Sequence, residues 1–338
     1  MVESLTDTAQ RMVAPGRGIL AVDESVPTIT KRFEKLSITS TESSRRDYRE
    51  TLLCGSGLGD FISGAILHEE TLHQTTADGT PFPKALQRQG ILTGIKVDTG
   101  AKPLAGSADE TVTEGLDGLR ERIAGFVSAG ATFAKWRAVI HVDSSTRPTA
   151  AAVAANAHAL ARYAALCQEG GLVPIVEAEV LMDGDHSLDR CEEVTERVLR
   201  SVFEQLVSQR VVLEGIVLKP NMVVAGLGHP SQPAVDEVAT ATVRCLRRTV
   251  PAAVPGVAFL SGGQSAKLAT EHLQAMNARG PHPWQLTFSY GRALQDPVLS
   301  TWLGDAANVE RARQALMVRA SCNSAARAGT YRSDMEAA

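Results

Sequence analysis

The stretch GIVLKP at residues 215–220 is a short apolar run that ends in a lysine and a proline. Seven similar runs, rich in Val, Ile, Leu and small residues, occur elsewhere in the chain. They are GILAVD from Gly18, ISGAIL from Ile62, LTGIKVD from Leu92, TFAKWRAVI from Thr132, VPIVEAEV from Val173, GVAFLSG from Gly256 and QLTFSYG from Gln285. Runs of this length and composition predict eight buried β-strands.

The segments between these runs, such as residues 150–170 and 187–208, have helical composition, with capping residues at their starts and Gly near their ends. Strand alternating with helix predicts a parallel sheet, and eight such units without a linker favour a closed (β/α)8 TIM barrel of the α/β class. A two-domain doubly wound fold is the alternative. We expect residues 1–338 to form one barrel domain, with a short N-terminal extension and a mobile C-terminal tail from about residue 325.

The bulk composition excludes several classes of protein. The 34 Lys and Arg against 38 Asp and Glu give a formal net charge of −4, so nucleic acid is not an expected partner. The five cysteines (54, 167, 191, 245 and 322) lack metal-ligand spacing and favour free thiols in a reducing compartment. The N-terminus is polar, and no run of about 18 apolar residues follows. We therefore expect a soluble cytoplasmic protein without membrane contact.

Polar side chains suited to chemistry stand at the carboxyl ends of most predicted strands. Asp23, Lys96, Lys219 and Ser261 end the first, third, sixth and seventh strands or lie near their ends. Alternate residues of a strand share a face, so Lys135 and Arg137 point together, as do Glu177 and Glu179. Barrel enzymes place their active sites at these strand ends, so the pattern favours an enzyme.

Lys219 is the candidate nucleophile, because its ammonium group follows a buried strand, where desolvation disfavours charge. A nearby cation, for which Lys135 is the candidate, would leave more of the neutral amine that attacks ketones. The spacing equally favours another interpretation, in which Lys135 and Arg137 pair with Glu177 and Glu179 in a structural ion network.

Two groups of residues predict anion sites on opposite sides of the barrel mouth. In FLSGGQS (residues 259–265) the glycines let backbone N–H groups approach an anion, and in SYGRALQ (residues 289–295) Arg292 can clamp it. The second group is Lys31, Arg32 and Lys96. Two separated anion sites suit a bisphosphate.

Two segments contain acidic residues and histidine, which are side chains that can bind metal ions. DGDH at residues 183–186 and HEE at residues 68–70 lack the spacing of zinc or calcium motifs. DGDH reads more naturally as a turn before a helix that begins near Ser187. We expect neither a metal nor a cofactor.

The chain closely resembles the class I fructose-bisphosphate aldolases from about Gly16 to Tyr331. The resemblance rests on these motifs in one order: GILAVDES, GIKVD, LAG, LDGL, FAKWR, NAHALARYA, PIVEAEVLMDGDH, RCEEVTE, LEGIVLKPNMV, LSGGQS and LTFSYGRALQ. It implies a lyase of glycolysis and gluconeogenesis that cleaves fructose 1,6-bisphosphate reversibly to dihydroxyacetone phosphate and glyceraldehyde 3-phosphate. It also implies a homotetramer with a sugar phosphate as its small-molecule partner.

The resemblance implies a role for each matching residue. Lys219 forms the imine, Glu177 is its acid and base with Glu179 as neighbour, and Asp23 takes the proton from the carbon 4 hydroxyl. Lys135 and Arg137 stabilise charge and orient the sugar. One phosphate is expected at Ser261, Gly262, Gly263, Ser289, Gly291 and Arg292, and the other at Ser25, Arg32 and Lys96. We also expect burial beside Glu179 to raise the pKa of Glu177 toward neutrality.

The chain departs from the family pattern in three places. Val26-Pro27-Thr28 replaces a segment such as Thr-Gly-Ser, so we expect Thr28 to contact the second phosphate. Thr99 stands where animal members have a lysine. The chain ends in SDMEAA, without the long tail and terminal tyrosine of animal members. The alternative functions are a Schiff-base lyase of another phosphorylated ketose and a catalytically silent barrel scaffold. The presence of every key residue argues against the scaffold.

Overall fold

A computed structural model describes residues 4–107, 109–143 and 145–337. Its ten strands are β1 (Gly18–Val22), β2 (Ile62–Leu67), β3 (Leu92–Lys96), β4 (Gly100–Pro103), β5 (Thr111–Glu114), β6 (Phe133–Ile140), β7 (Val173–Val180), β8 (Val217–Pro220), β9 (Gly256–Phe259) and β10 (Gln285–Tyr290). Eight of them close into a parallel barrel in the order β1, β2, β3, β6, β7, β8, β9, β10 and back to β1. The predicted TIM barrel and its eight strands are confirmed.

The helices fill the connections between strands. They are α1 (Leu5–Met12), α2 (Val26–Glu34), α3 (Glu42–Leu53), α4 (Glu69–His73), α5 (Phe82–Arg88), α6 (Leu119–Ser128), α7 (Ala150–Glu169), α8 (Leu188–Ser208), α9 (Val235–Thr249), α10 (Ala266–Asn277), α11 (Arg292–Trp302) and α12 (Val309–Arg327). Short 3₁₀ turns lie at Leu58–Asp60, Leu213–Gly215, Ala306–Asn308 and Ser333–Ala337. The hydroxyls of Thr149 and Ser187 cap α7 and α8, as the capping residues predicted.

The amino-terminal half of the barrel interior is packed with apolar side chains. Phe133 is fully buried there together with Ile19 and Val217. A Cβ atom at Gly94 would overlap the ring of Phe133, so the small residue makes room for the large one. Met12 of α1 belongs to the same cluster, so α1 closes this end of the barrel. We call this layer the barrel floor.

A two-stranded antiparallel hairpin lies outside the barrel and was not predicted from the sequence. In it β4 pairs with β5, with Gly100 opposite Glu114 and Pro103 opposite Thr111. The hairpin follows β3, and its start lies beside the barrel mouth. It therefore adds Thr99 and Gly100 to the rim of the mouth.

The residues after α12 fold back onto the protein. The expected tail boundary near residue 325 lies inside α12, which ends at Arg327. The backbone N–H of Tyr331 donates to Gln274 Oε1 at 2.9 Å, and its hydroxyl donates to Glu336 at 2.9 Å. Glu336 also pairs with the buried Arg319 of α12. The tail thus has a docked position, and its mobility stays a prediction.

Within the described ranges, no helix is both long enough and apolar enough to cross a membrane.

Candidate active site

Strand register brings three charged side chains together at the carboxyl end of the barrel. Glu177 on β7 is the register partner of Lys219 on β8, and Lys135 lies on β6, the other neighbour of β7. The interior positions of these strands change from apolar in the floor to charged at this level: Ile175 precedes Glu177, and Val217 precedes Lys219, each by two residues. Because alternate residues share a face, the same alternation that fills the floor delivers these charged groups to the mouth.

The three groups form a chain of ion pairs with Asp23, which follows β1. Lys219 Nζ lies 3.1 Å from Glu177 Oε1, and Lys135 Nζ lies 3.2 Å from Glu177 Oε2 and 2.7 Å from Asp23 Oδ2. Lys135, Glu177 and Lys219 are each at most 4% exposed. Glu177 therefore stands between two ammonium groups and touches the candidate nucleophile directly.

The electrostatics of this cluster follow from burial and the close charges. Burial acts to raise the pKa of Asp23, but Lys135 and Lys219 outweigh it and hold that pKa well below its ordinary value. For Lys135, burial acts to lower the pKa, but Asp23 and Glu177 hold it above the usual range. Asp23 is thus ionised and Lys135 is a cation.

The expectation that the pKa of Glu177 is raised is wrong. Burial does act to raise it, but Lys135 and Lys219 together lower it below the ordinary value. Glu179 pairs with Arg137, and the carboxylate that acts to raise the pKa of Glu177 is Asp23 instead. The ion network that the spacing favoured equally is present, with Lys135 paired to Glu177 and Arg137 to Glu179. Because Glu177 also contacts Lys219, the network is part of the candidate active site.

A cavity of about 660 Å³ opens above these groups. Every residue predicted for the site lines it except Gly263. Gly263 lies beside the cavity with a φ of 75°, and a Cβ atom there would come within 2.8 Å of Met182 Sδ. Its glycine is thus explained by backbone conformation and by close packing.

The first predicted phosphate site lies on the β9 and β10 side of the cavity. Ser261, Gly262, Ser289, Gly291 and Arg292 line it. The hydroxyl of Ser289 is buried and has no hydrogen-bond partner among the described residues. Within the same ranges, the exposed guanidinium of Arg292 makes no ion pair. These groups are therefore available to a ligand anion.

The second predicted site, around α2, is arranged differently from the expectation. The guanidinium of Arg32 is occupied by Glu24, by Gln295 Oε1 at 2.9 Å and by Asp296 Oδ1 at 2.9 Å. Lys96 Nζ likewise lies 2.5 Å from Asp98 Oδ1. Both residues line the cavity, but their charges are already paired with carboxylates of the protein.

Lys31 and Lys35 of the same rim have exposed side chains without ion-pair partners in the described part of the chain. They are four residues apart, one at the last turn of α2 and the other at its C-cap, so they share a helix face. The hydroxyls of Ser25 and Thr28 lie 3.0 Å apart beside them. The unpaired cations of this rim are thus Lys31, which the sequence predicted as part of this anion site, and Lys35, which it did not.

Asp98 and Glu24 are two further site residues that the sequence reading missed. Asp98 pairs with Lys96 and accepts a hydrogen bond from the backbone N–H of Arg137 at 3.2 Å. Glu24 holds Arg32 and lies 2.9 Å from the buried Arg49. The position of Asp98, two residues after Lys96, could have indicated it, whereas the pairing of Glu24 with Arg49 depends on how α3 packs.

The DGDH and HEE segments differ in burial and in ion pairing. His186 is fully buried while Asp183 and Asp185 are exposed, and Glu70 pairs with Arg45 at 2.9 Å. No group of three or more His, Cys, Asp or Glu side chains suitable for a metal ion occurs within residues 4–107, 109–143 and 145–337.

The mouth of this parallel barrel holds a buried lysine in contact with a carboxylate, between two rims suited to anions. This is the arrangement of a barrel enzyme that forms an imine with a phosphorylated carbonyl compound.

Comparisons with known proteins define the class further. The family model for class-I fructose-bisphosphate aldolase matches residues 4–338. The probable fructose-bisphosphate aldolase class 1 of Xanthomonas campestris is 54% identical, covering 98% of this chain and 99% of the relative. Fructose-bisphosphate aldolase of Dictyostelium discoideum is 53% identical over 97% of this chain and 93% of the relative.

A solved structure of fructose-bisphosphate aldolase from Plasmodium falciparum is also similar. It superposes with a TM-score of 0.96 at 50% identity and covers 97% of this chain and 95% of that one. The chain therefore belongs to the class I fructose-bisphosphate aldolase family, and it is an enzyme of the lyase class.

Proposed function

We propose that the protein cleaves fructose 1,6-bisphosphate reversibly into dihydroxyacetone phosphate and glyceraldehyde 3-phosphate through an imine at Lys219. The observation that carries this proposal is the 3.1 Å contact between Lys219 Nζ and Glu177 in the cavity wall. Transfer of one proton across that contact creates a neutral amine and a carboxylic acid together. These are the nucleophile and the acid that imine formation requires.

The first step joins the enzyme to the open-chain sugar. The amine of Lys219 attacks the ketone carbon, and the oxygen leaves as water after Glu177 protonates it. The nitrogen is left as a protonated imine. The arriving phosphate charges offset the lysines that lower the pKa of Glu177, so substrate binding itself favours the protonated form of this carboxyl.

The second step breaks the bond between carbons 3 and 4. Asp23 takes the proton from the carbon 4 hydroxyl, whose oxygen becomes the aldehyde of glyceraldehyde 3-phosphate. The electron pair of the broken bond moves into the imine, which becomes an enamine. Protonation of the enamine at carbon 3 and addition of water then release dihydroxyacetone phosphate and restore Lys219. Lys135, 2.7 Å from Asp23, orients the base, and Arg137 lies at the same level.

The two rims of the cavity hold the two phosphates in this proposal. Ser261, Gly262, Ser289 and Arg292 hold one of them. Lys31 and Lys35 join Ser25, Thr28, Arg32 and Lys96 around the other, because they are the unpaired cations of that rim. This pair of sites favours a bisphosphate over a ketose with a single phosphate, such as the substrate of another Schiff-base lyase.

Reductive trapping tests the proposal. Dihydroxyacetone phosphate with borohydride should inactivate the protein and add one reduced adduct per chain, which peptide mapping locates at Lys219. Lys219→Met should prevent labelling, whereas Lys267→Met, on an exposed helix face, should not. Adduct formation at another lysine would reject the assignment of the nucleophile.

We also propose three finer properties. The resemblance to the aldolase family suggests that the protein is a homotetramer, which light scattering coupled to size-exclusion chromatography can test. Five free cysteines, four of them buried, favour a reducing cytoplasmic location, testable by cell fractionation. Because the cleavage is reversible, we propose a role in gluconeogenesis as well as glycolysis, and growth of a deletion strain on gluconeogenic carbon sources tests it.

A further inference from the structure

The loop after β9, which lines the first phosphate site, is a tight turn formed by Ser261, Gly262, Gly263 and Gln264. The backbone N–H of Gln264 donates to the carbonyl of Ser261 at 2.9 Å and closes the turn. Both glycines have positive φ, 40° and 75°, which glycine adopts at little cost. A turn of two glycines is also easily distorted, so its shape depends on what holds its ends.

The side chain of Gln264 is held by a histidine that does not line the cavity. His272 lies on α10, two helical turns after Gln264, and is only 2% exposed. Its Nδ1 atom lies 2.6 Å from Gln264 Oε1. Burial lowers the pKa of His272 to about 4, so the ring is neutral and its single proton serves this hydrogen bond.

The other end of the same amide faces the loop after the nucleophile. Gln264 Nε2 donates to Met222 Sδ at 3.6 Å, and Met222 follows Lys219 by three residues. A gap of about 10 Å³ lies behind the turn, between Met182, Met222 and Gln264. The Gln264 amide, hydrogen-bonded to His272 on one side and to Met222 on the other, therefore bridges the turn and the loop after the nucleophile.

We infer that His272 is a positioning residue for phosphate binding, which acts by fixing Gln264 and with it the turn that presents Ser261 and Gly262 to the substrate. The inference rests on the proposed function, since it takes this turn as a phosphate site. His272 has no contact with Lys219, Glu177 or Lys135 among the described hydrogen bonds and ion pairs. Its loss should therefore weaken substrate binding and leave the imine chemistry intact.

Matched substitutions of His272 test the inference. His272→Leu removes the donor at similar volume and should raise KM for fructose 1,6-bisphosphate roughly tenfold, the size of one lost buried hydrogen bond. The inhibition constant of inorganic phosphate should rise in parallel, with kcat changed less than about threefold. His272→Asn keeps a donor near the Nδ1 position and should restore most of the binding. His282→Leu, a half-buried histidine near the other end of α10, is the control.

A second variant decides the matter if His272→Leu does not fold. Gln264→Met cannot accept from His272 and should raise KM by a similar factor. In the double variant the two effects should not add, because both remove one contact. An unchanged KM in Gln264→Met, or His272→Asn binding as weakly as His272→Leu, would overturn the inference. Borohydride trapping at Lys219 in the parent protein separates this failure from a failure of the proposed function.

Discussion

The floor and the mouth of the barrel are built from the same strands by the same alternation of side chains, yet their contents are opposite. On β6, Phe133 fills the floor and Lys135 stands in the mouth two residues later. On β8 the same change takes place between Val217 and Lys219. Apolar packing in the floor stabilises the fold, whereas the mouth can hold buried charges because each of them has a partner of opposite charge. The comparison shows that the residues packed for stability and the residues suited to catalysis lie at different levels of the same strands.

Removal of one charge from the mouth should have the largest effect. Lys135→Met leaves Asp23 without its 2.7 Å partner, and the loss of one member of a buried pair should cost about 3 to 5 kcal/mol of unfolding free energy at pH 7. Cleavage should fall by roughly a hundredfold or more, since Asp23 is no longer oriented. Chemical denaturation and kcat/KM measure the two effects, with Lys267→Met as the exposed control.

The pH dependence of that stability loss gives a second check on the same variant. The pKa of Asp23 is lowered in the folded protein. Its charge therefore contributes fully to stability above the ordinary pKa of about 4, and this contribution is lost as the pH falls through the lower folded-state pKa. In Lys135→Met the charge of Lys135 no longer opposes the effect of burial on Asp23, so the pKa of Asp23 rises. Protonation of Asp23 at lower pH then relieves the cost of a buried, unpaired carboxylate. The difference in unfolding free energy should therefore shrink between pH 7 and pH 4. A constant difference would mean that the charges do not cause it.

A cavity in the floor should affect stability alone. Phe133→Ala removes a fully buried ring and should cost about 3 to 4 kcal/mol of unfolding free energy. Because Phe133 lies one layer below the charged groups, kcat per folded molecule should change less than about threefold. Val127→Ala, at a position that is 40% exposed, is the control. A hundredfold loss of kcat in a folded variant would show that the two levels are coupled.

The same comparison explains which features could be predicted from the sequence. The strands could be predicted because buried parallel strands are apolar runs, and Lys219 because it interrupts one of them at its end. The pairing of Glu177 with Lys219 depends on register, which one sequence does not display. The sign of the Glu177 pKa shift depends on two lysines delivered by neighbouring strands, so reasoning from burial and the nearby Glu179 gave the wrong direction.

The hairpin and the arrangement of charges in the α2 rim escaped prediction for different reasons. β4 is mostly exposed and has no apolar run, so it lacks the pattern of a buried strand. Arg32 looked as suitable for phosphate as its neighbours, but tertiary contacts with Gln295 and Asp296 occupy it. Only Lys31 and Lys35 share the helix face that stays free, and this follows from their spacing of four once α2 is placed.

Loss of one phosphate contact should have a smaller effect than loss of a buried charge. Arg292→Ala should weaken fructose 1,6-bisphosphate binding by about 1.5 to 3 kcal/mol, the usual scale for a charge-assisted hydrogen bond. Arg292 is exposed and makes no ion pair within the described ranges, so stability should not change. KM and kcat/KM measure the effect, and Arg332→Ala on the exposed tail is the control. Unchanged kinetics would remove Arg292 from the phosphate site.

The smallest effect on catalysis is expected for the tail, which belongs to neither level of the barrel. Tyr331 is buried against α10, and Glu336 pairs with Arg319 of α12, so the docked tail packs on the outer helices. No tail residue lines the cavity among the described residues, and Glu177 and water remain to protonate the enamine. Deletion of residues 331–338 should therefore change kcat for cleavage less than about threefold, under roughly 0.7 kcal/mol of barrier. The measurements are kcat and detritiation of labelled dihydroxyacetone phosphate, each corrected for the folded fraction. A hundredfold fall in either would mean that the tail leaves its docked position and takes part in proton transfer.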